Sequence, residues 1–387
     1  AGGGRRGGGG REGGHCLEGR DIPHRGLDPA AGIGGLEGAY GRSGYNARQL
    51  GRAARIWAEM ISGGATICLT MSGAMSPVGH GGIVKALIER GFVDWIVTTG
   101  ANVYHEEHFA WGLPVRQGHA GADDGVLYDR EIVRIRDVFI KFYETLEAQD
   151  QVIQRMFRDR LTREPFTTAE FCDVIGRISS EFAPHPERSF VVAAHRHGVP
   201  LYVSTLKDSS LALNLAVHRL RGSEYSLDFV REIIEQAAIV YGAESSGIVE
   251  LGGGVPKNTA QQTGPLLDQI LRRGDGGQDY IIQVTDARPD TGGLSGATLQ
   301  EGKSWGKVRD AERGMATVYA DSTIAFPILA MYVMATQKPR EPRRLYGRLG
   351  GLYTRLRDDY FSSEDRFYDM LDDSYRMPGP MPRGGRA

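Results

Sequence analysis

The chain has 387 residues, 41% of them hydrophobic, with 46 Lys+Arg against 48 Asp+Glu and a formal net charge of −2. That length admits one large α/β domain or two ordinary ones, and the apolar content supports a core and excludes a wholly disordered chain. The balance of charge argues against nucleic acid or an anionic membrane as the main partner.

Residues 1–38 are rich in Gly and Arg, lack any apolar period and read as a flexible tail. They carry no signal-peptide pattern, and a first residue other than Met suggests a fragment or a processed chain. Order is expected to begin near residue 40, where Leu50, Ala53, Ile56, Trp57 and Met60 recur at helical spacing. "ATICLTM" (65–71) then reads as a strand, "GIVKALIERG" (82–91) as a helix closed by glycine, and "VDWIVTTG" (93–100) as a second buried strand. A charged, helical stretch is expected over roughly 130–180. Beyond it, "RSFVVAAHRHG" reads as a helix and "VPLYVSTL" as a strand. "DSSLALNLAVHRL" follows as a helix capped by Asp208 or Ser209. "FVREIIEQAAIVY" is helical, "SGIVEL" a strand, and "GGGVPKNTAQQTGPLLDQIL" a glycine turn into a helix; "DYIIQVT" and "ATVYA" complete the strands. Residues 338–387 read as a peripheral extension with a short helix near 364–372. The longest apolar run, 326–335, is too short to span a bilayer. Cys16, Cys68 and Cys172 lie far apart, forming neither a disulfide framework nor a zinc module, which fits a reducing, cytoplasmic setting.

Strands alternating with helices predict an α/β fold, a mostly parallel, doubly wound sheet with helices on both faces, as one large domain over 39–337. In such a sheet ligands sit outside the carboxyl ends of the strands. That rule selects "SGAMS", "TTGAN", "TLKDSS", "LGGG" and "DTGGLSG", all small, polar and glycine-rich. The glycines of "LGGGVPKN" (251–258), opening a helix, offer bare backbone N–H groups to a pyrophosphate, and with "GGLSG" (292–296) they suggest a dinucleotide. "HEEH" (105–108) sets its histidines three apart, whereas a zinc-protease helix needs them four apart, so no metal is expected. No Gly-x-Ser-x-Gly elbow occurs. Lys307, in "SWGKV" with Glu301 six residues before it, reads either as a solvated surface residue or as a nucleophile. In the second reading it is desolvated beside the indole of Trp305 and held as the neutral amine that imine chemistry requires.

The ordered set "LGGGVPKN … GGLSGAT … EGKSWGKV … VYADSTIAFP" resembles the deoxyhypusine synthase family. The match extends back through "TLKDSSLALNL", "VDWIVTTGANVYHEE" and "SGYNARQLGRAARIWAEMI", covering most of residues 40–337. The resemblance implies a Rossmann-like sheet, NAD, and a homotetramer with active sites between subunits. It also implies transfer of an aminobutyl group from a polyamine, carried as an imine on Lys307 with Trp305 and Glu301 holding the amine. For the cofactor it implies Ser72, Gly73, Ala74, Met75 and Ser76, then Thr99, Gly100 and Ala101, with Asp208, Gly253, Asp286, Ala287, Asp321 and Ser322. Three positions depart from the family pattern: Leu213 and Leu294 each stand where an aspartate is placed, and Asn258 where a histidine follows the glycines and lysine. A leucine cannot pair with an ammonium, so the substrate grip is expected to be rebuilt, with Asp290, Glu106 and Glu107 as candidate replacements and Gly292 and Gly293 on the substrate side. The acceptor implied is a lysine of a translation initiation factor 5A-type protein or a free diamine, the latter giving homospermidine. A non-catalytic NAD-binding protein of the same fold is the alternative from another class, and an ordinary dehydrogenase a third reading.

Overall fold

Six short segments, buried at nearly every position, form the central sheet: β1 (Thr66–Met71), β2 (Trp95–Thr98), β6 (Leu201–Val203), β7 (Ser246–Leu251), β8 (Tyr280–Thr285) and β9 (Met315–Tyr319). Strands covered on both faces read as continuous apolar runs, and these do. The structure, a computed structural model, describes residues 21–24, 28–158, 160–274, 277–309 and 314–362. The expected helix near 364–372 and the first 20 residues of the expected tail lie outside the described residues.

The sheet order is β6-β2-β1-β7-β8-β9, and every pairing is parallel. The chain winds outward from β1 through β2 to β6, then returns to the other side of β1 and winds outward again from β7 to β9. This is the Rossmann order, and the reversal between β1 and β7 opens a crevice at their carboxyl ends. Tyr45–Ser62 turns Ala53, Ala54, Ile56, Trp57 and Met60 onto one side of the sheet, and Trp57 stacks on Phe326 of the Ser322–Thr336 helix at 6.5 Å between ring centroids. Thr168–Phe182 starts on a capping box, Thr167 and Glu170 each satisfying the other's backbone N–H.

Three expectations are corrected. The stretch read as helical, 130–180, opens with Ile132–Ile135 (β4) and Val138–Lys141 (β5), which join Val115–Gln117 (β3), just before it, in a second, antiparallel sheet of order β3-β5-β4. Strands of three or four residues are too short for alternation to register. The helix Ser210–Leu220 has Ser209 at its N-cap position, but the Ser209 hydroxyl donates to Leu206 O at 2.6 Å instead of accepting from the helix. The chain on either side of 39–337 is not merely peripheral. Leu36 is buried, and after residue 337 Leu345, Leu349 and Leu356 join the core beside Ile239 and Ile248. Among the described residues no helix is long and apolar enough to cross a membrane.

Arg340 fastens the C-terminal segment. Its guanidinium donates to Asp94 Oδ2 at 2.6 Å, to Ala65 O at 2.7 Å and to Gly91 O. Asp94 is buried, and the same Oδ2 accepts from Ile67 N at 2.8 Å. Burial holds the Asp94 carboxyl above the usual carboxylate range, while Arg340 and Arg343 pull it down. Replacing Arg340 by Ala leaves a buried charge without its main partner, which costs about 3–5 kcal/mol. The native carboxyl then binds its proton more tightly than the unfolded one, so the loss grows as pH rises through the native value. Denaturant unfolding of Arg340→Ala at pH 5 and pH 8 is expected to show the larger deficit at pH 8; equal deficits would disprove the assignment.

Candidate active site

The carboxyl ends of all six parallel strands open on one side of the molecule. After β1, Ser72–Ser76 passes over the start of the Gly100–Ala110 helix and is tied to it by Asn102. The Asn102 side-chain oxygen accepts from Met75 N (2.7 Å) and Ser76 N (3.1 Å), and its amide donates to Gly73 O at 3.3 Å. Thr99, the N-cap of that helix, donates its hydroxyl to Gly73 O at 2.6 Å. Across the crevice Ser72 Oγ donates to Gly253 O. Gly73, Gly252 and Gly254 have φ of 65°, 78° and 60°, which glycine adopts at no steric cost. A side chain at Gly253 would overlap the backbone of Ser295, so the glycine turn and the Leu294–Gly296 turn touch only because no Cβ intervenes. Ser72, Gly73, Ala74, Met75, Ser76, Thr99, Gly100, Ala101 and Gly253 therefore gather around the β1–β2–β7 end. Asp286 and Ala287 follow β8. Asp321 caps the Ser322–Thr336 helix through Thr323 N at 2.6 Å, and Asp208 lies in the loop after β6.

A cleft of about 240 Å³ lies between the Gly254–Gln261 helix and the segment 294–307. Lys257, Asn258, Gln261, Gln262, Leu294, Glu301, Trp305 and Lys307 line it, among others. Lys307 Nζ donates to Asn258 Oδ1 at 3.0 Å, and Gly306, at φ 68°, makes the turn that brings the lysine back towards the helix. Burial pushes the Lys307 amine below the ordinary lysine value, the neighbouring Lys257 pushes it further, and Glu250 and Glu301 oppose both. Lys257 is the more deeply buried amine, donating to Ala297 O at 2.6 Å and to Gln283 Oε1 at 3.1 Å. Its own value is lowered by burial, again against Glu250 and Glu301. Trp305 stands 60% exposed at the rim and Leu294 41%.

Lys307, Trp305, Glu301 and Asn258 thus meet in one cleft. Asp290 and Glu106 do not join them. Asp290 is exposed and paired with Arg288 at 2.6 Å. Glu106 and Glu107 are sealed in the interior: Phe190 N donates to Glu106 Oε1 at 2.8 Å, and the hydroxyls of Ser179 and Ser189 donate to Glu107. Gly292 and Gly293 are exposed, in the loop that leads to Leu294. Leu213 is 67% exposed on the Ser210–Leu220 helix and lines no part of the cleft. His105 and His108 bring their rings together, with Nδ1 and Nε2 3.0 Å apart. Sequence reasoning missed Lys257, Gln261, Asn102, Glu250 and Gln283. The last two carried a signal, since a polar residue near the end of an otherwise apolar parallel strand needs a polar partner.

Burial raises Glu106 to about 8, with Glu107 adding to the shift and the Phe190 N–H opposing it. The native carboxyl keeps a proton that the unfolded chain releases near 4.5, so this residue removes stability as pH rises through that interval. Glu106→Gln keeps an oxygen for Phe190 N and carries no charge. Its unfolding midpoint is expected to match wild type near pH 5 and exceed it at pH 8.5; a midpoint that tracks wild type at both would refute this reading.

The deoxyhypusine synthase family model matches residues 36–333. A deoxyhypusine synthase-like protein of Nostoc sp. is 38% identical over 332 residues, covering 83% of this chain and 86% of its own. A Methanosarcina acetivorans protein provisionally named deoxyhypusine synthase 2 is 35% identical, covering 75% and 83%. A crystal structure from Entamoeba histolytica, proposed to be a deoxyhypusine synthase, superimposes with a TM-score of 0.54 at 16% identity, over 82% of this chain and 99% of the other, and shows the same fold. With the family model covering the whole sheet and both sides of the lysine cleft, the chain belongs to the deoxyhypusine synthase family.

Proposed function

We propose that the protein is an NAD-dependent aminobutyl transferase in which Lys307 carries the four-carbon unit as an imine. The observation that carries this reading is the setting of Lys307, an amine in a half-buried cleft with its proton affinity lowered by burial and by a second lysine. Family membership supports aminobutyl transfer in general.

NAD fits the strand ends in kind. The left-handed glycines Gly73, Gly252 and Gly254 let backbone approach a pyrophosphate, and the 11-residue Gly100–Ala110 helix opens at the same crevice. Asp208, Asp286 and Asp321 supply carboxylates for ribose hydroxyls, beside Ser72–Ser76, Thr99–Ala101, Gly253, Ala287 and Ser322. When bound, NAD supplies the acceptor for a hydride from the amine donor and its later return.

Within the cleft, the lone pair of Lys307 adds to the oxidised carbon of the donor. The bond from that carbon to the departing diamine breaks, and the proton lost by the lysine nitrogen leaves on the diamine nitrogen. Asn258, through its side-chain oxygen, orients the amine. Trp305 covers the chain of the substrate and Glu301 attracts its ammonium. Leu294 presents an apolar wall that cannot pair with an ammonium, so a spermidine-like donor places its far end elsewhere. The exposed Leu294 and Trp305 on the cleft wall favour completion of the site by a second copy, in a homotetramer. The acceptor we favour is a lysine of a translation initiation factor 5A-type protein; transfer to a free diamine would use the same lysine chemistry.

Borohydride reduction of the protein incubated with NAD and labelled spermidine is expected to leave one aminobutyl adduct on Lys307. Lys307→Ala is expected to lose the adduct and turnover while retaining NAD binding and the wild-type thermal transition. An adduct on another lysine, or none with any amine despite tight NAD binding, would overturn the transferase reading.

A further inference from the structure

Parallel register sets Cys68, Ile248 and Ile281 side by side on β1, β7 and β8, and these residues belong to one apolar cluster. Two residues further along, on the same face of the sheet, the row becomes Thr70, Glu250 and Gln283. Glu250 is 0% exposed. Its Oε1 accepts from Gln261 Nε2 at 2.6 Å, while its Oε2 and the hydroxyl of Thr70 have no hydrogen-bond partner. Gln283 accepts from Lys257 and donates to Gly252 O and Ser295 O, both at 3.0 Å. The row therefore ends the apolar face directly under the lysine cleft. Lys257 from the Gly254–Gln261 helix, Lys307 from the turn beyond Leu299–Ser304, and Cys68 from β1 lie within electrostatic range of Glu250. Glu301 acts on the same two lysines.

We propose that Glu250 is a positioning residue for the lysine pair: closed off beneath the cleft, it supplies the counter-charge that lets one amine remain an ammonium, and so sets the pH at which Lys307 gives up its proton. Two ammonium groups in one partly desolvated cleft repel each other, and burial opposes the charge on each. A carboxylate out of reach of water balances one of them. Lys257, bonded to two carbonyl oxygens and nearly inaccessible, is the better holder of that charge. Lys307, with its bond to Asn258 and its position on the cleft wall, is the better free amine. Burial raises Glu250 to about 7, with Lys257, Gln261 and Lys307 opposing, so the counter-charge is present above that pH and fades below it. Removing a negative charge lowers both deprotonation steps of a coupled amine pair.

The inference takes from the proposed function only that Lys307 is the working amine, and its test uses neither NAD nor a polyamine. The full chain is acetylated with trace acetic anhydride from pH 6 to 10, and the Lys307 peptide is quantified by mass against the exposed Lys141. In Glu250→Gln the midpoint of Lys307 labelling is expected to move down by about half a unit to one unit. That corresponds to about three- to tenfold faster labelling below the midpoint. A Glu250→Gln protein with the wild-type thermal transition and an unmoved midpoint overturns the proposal. Should that variant fail to fold, Lys257→Met decides. With only Lys307 left for Glu250 to balance, the midpoint must rise, and one that stays or falls overturns the proposal. Failure of the borohydride trap would leave this result standing, and an unmoved midpoint would leave the transfer reading standing.

Discussion

The reversal of winding between β1 and β7 is the constraint on which the rest depends. Because β2 and β6 lie on one side of β1 and β7, β8 and β9 on the other, the segments leaving β1 and β7 diverge and expose the ends of both strands. Each segment leaving a strand there has to turn sharply without filling the gap. Gly73, Gly252 and Gly254 do so in the left-handed region, and Gly253 lets the 294–296 turn rest directly against it. Asn102 and Thr99 tie the Ser72–Ser76 loop to the neighbouring helix at the edge of the crevice.

A second consequence is the placing of charge. An apolar sheet cannot end in a charged residue unless that residue finds partners, and the carboxyl end of the sheet is where loops and helix starts can provide them. Glu250, Gln283 and Lys257 occupy this boundary layer, with Gln261 supplying the amide that Glu250 needs. Glu250 and Lys257 are thus held on a strand and a helix. Lys307 arrives last, on a turn closed by Gly306, and completes the layer through Asn258.

Much of this was legible in the sequence. Every major strand was visible as an apolar run, because burial on both faces leaves no alternation to confuse with a helix. The carboxyl-end rule then picked out the glycine segments that the crevice uses. The lysine motif was legible through its company, since Trp305, Gly306 and Glu301 accompany Lys307 within seven residues. The short strands β3, β4 and β5 were not legible, because three or four residues carry too little pattern. The burial of Glu106 and Glu107 was also hidden. Adjacent carboxylates on a helix look like a solvated face, and only the packing of Phe190, Ser179 and Ser189 around them shows otherwise.

The sequence by itself determined the alternating α/β architecture, the strand ends that carry glycine, and the chemical identity of the lysine motif. Each of these depends on local composition or on order along the chain. Tertiary structure alone decided which polar groups share a site. Lys257 and Lys307 are 50 positions apart and Glu250 and Gln283 are 33 apart, so their meeting depends on strand order and register rather than on spacing. It also lowered the proton affinity of both amines, because that affinity follows from the surface packed around a lysine and the charges near it, and neither exists until the sheet has closed.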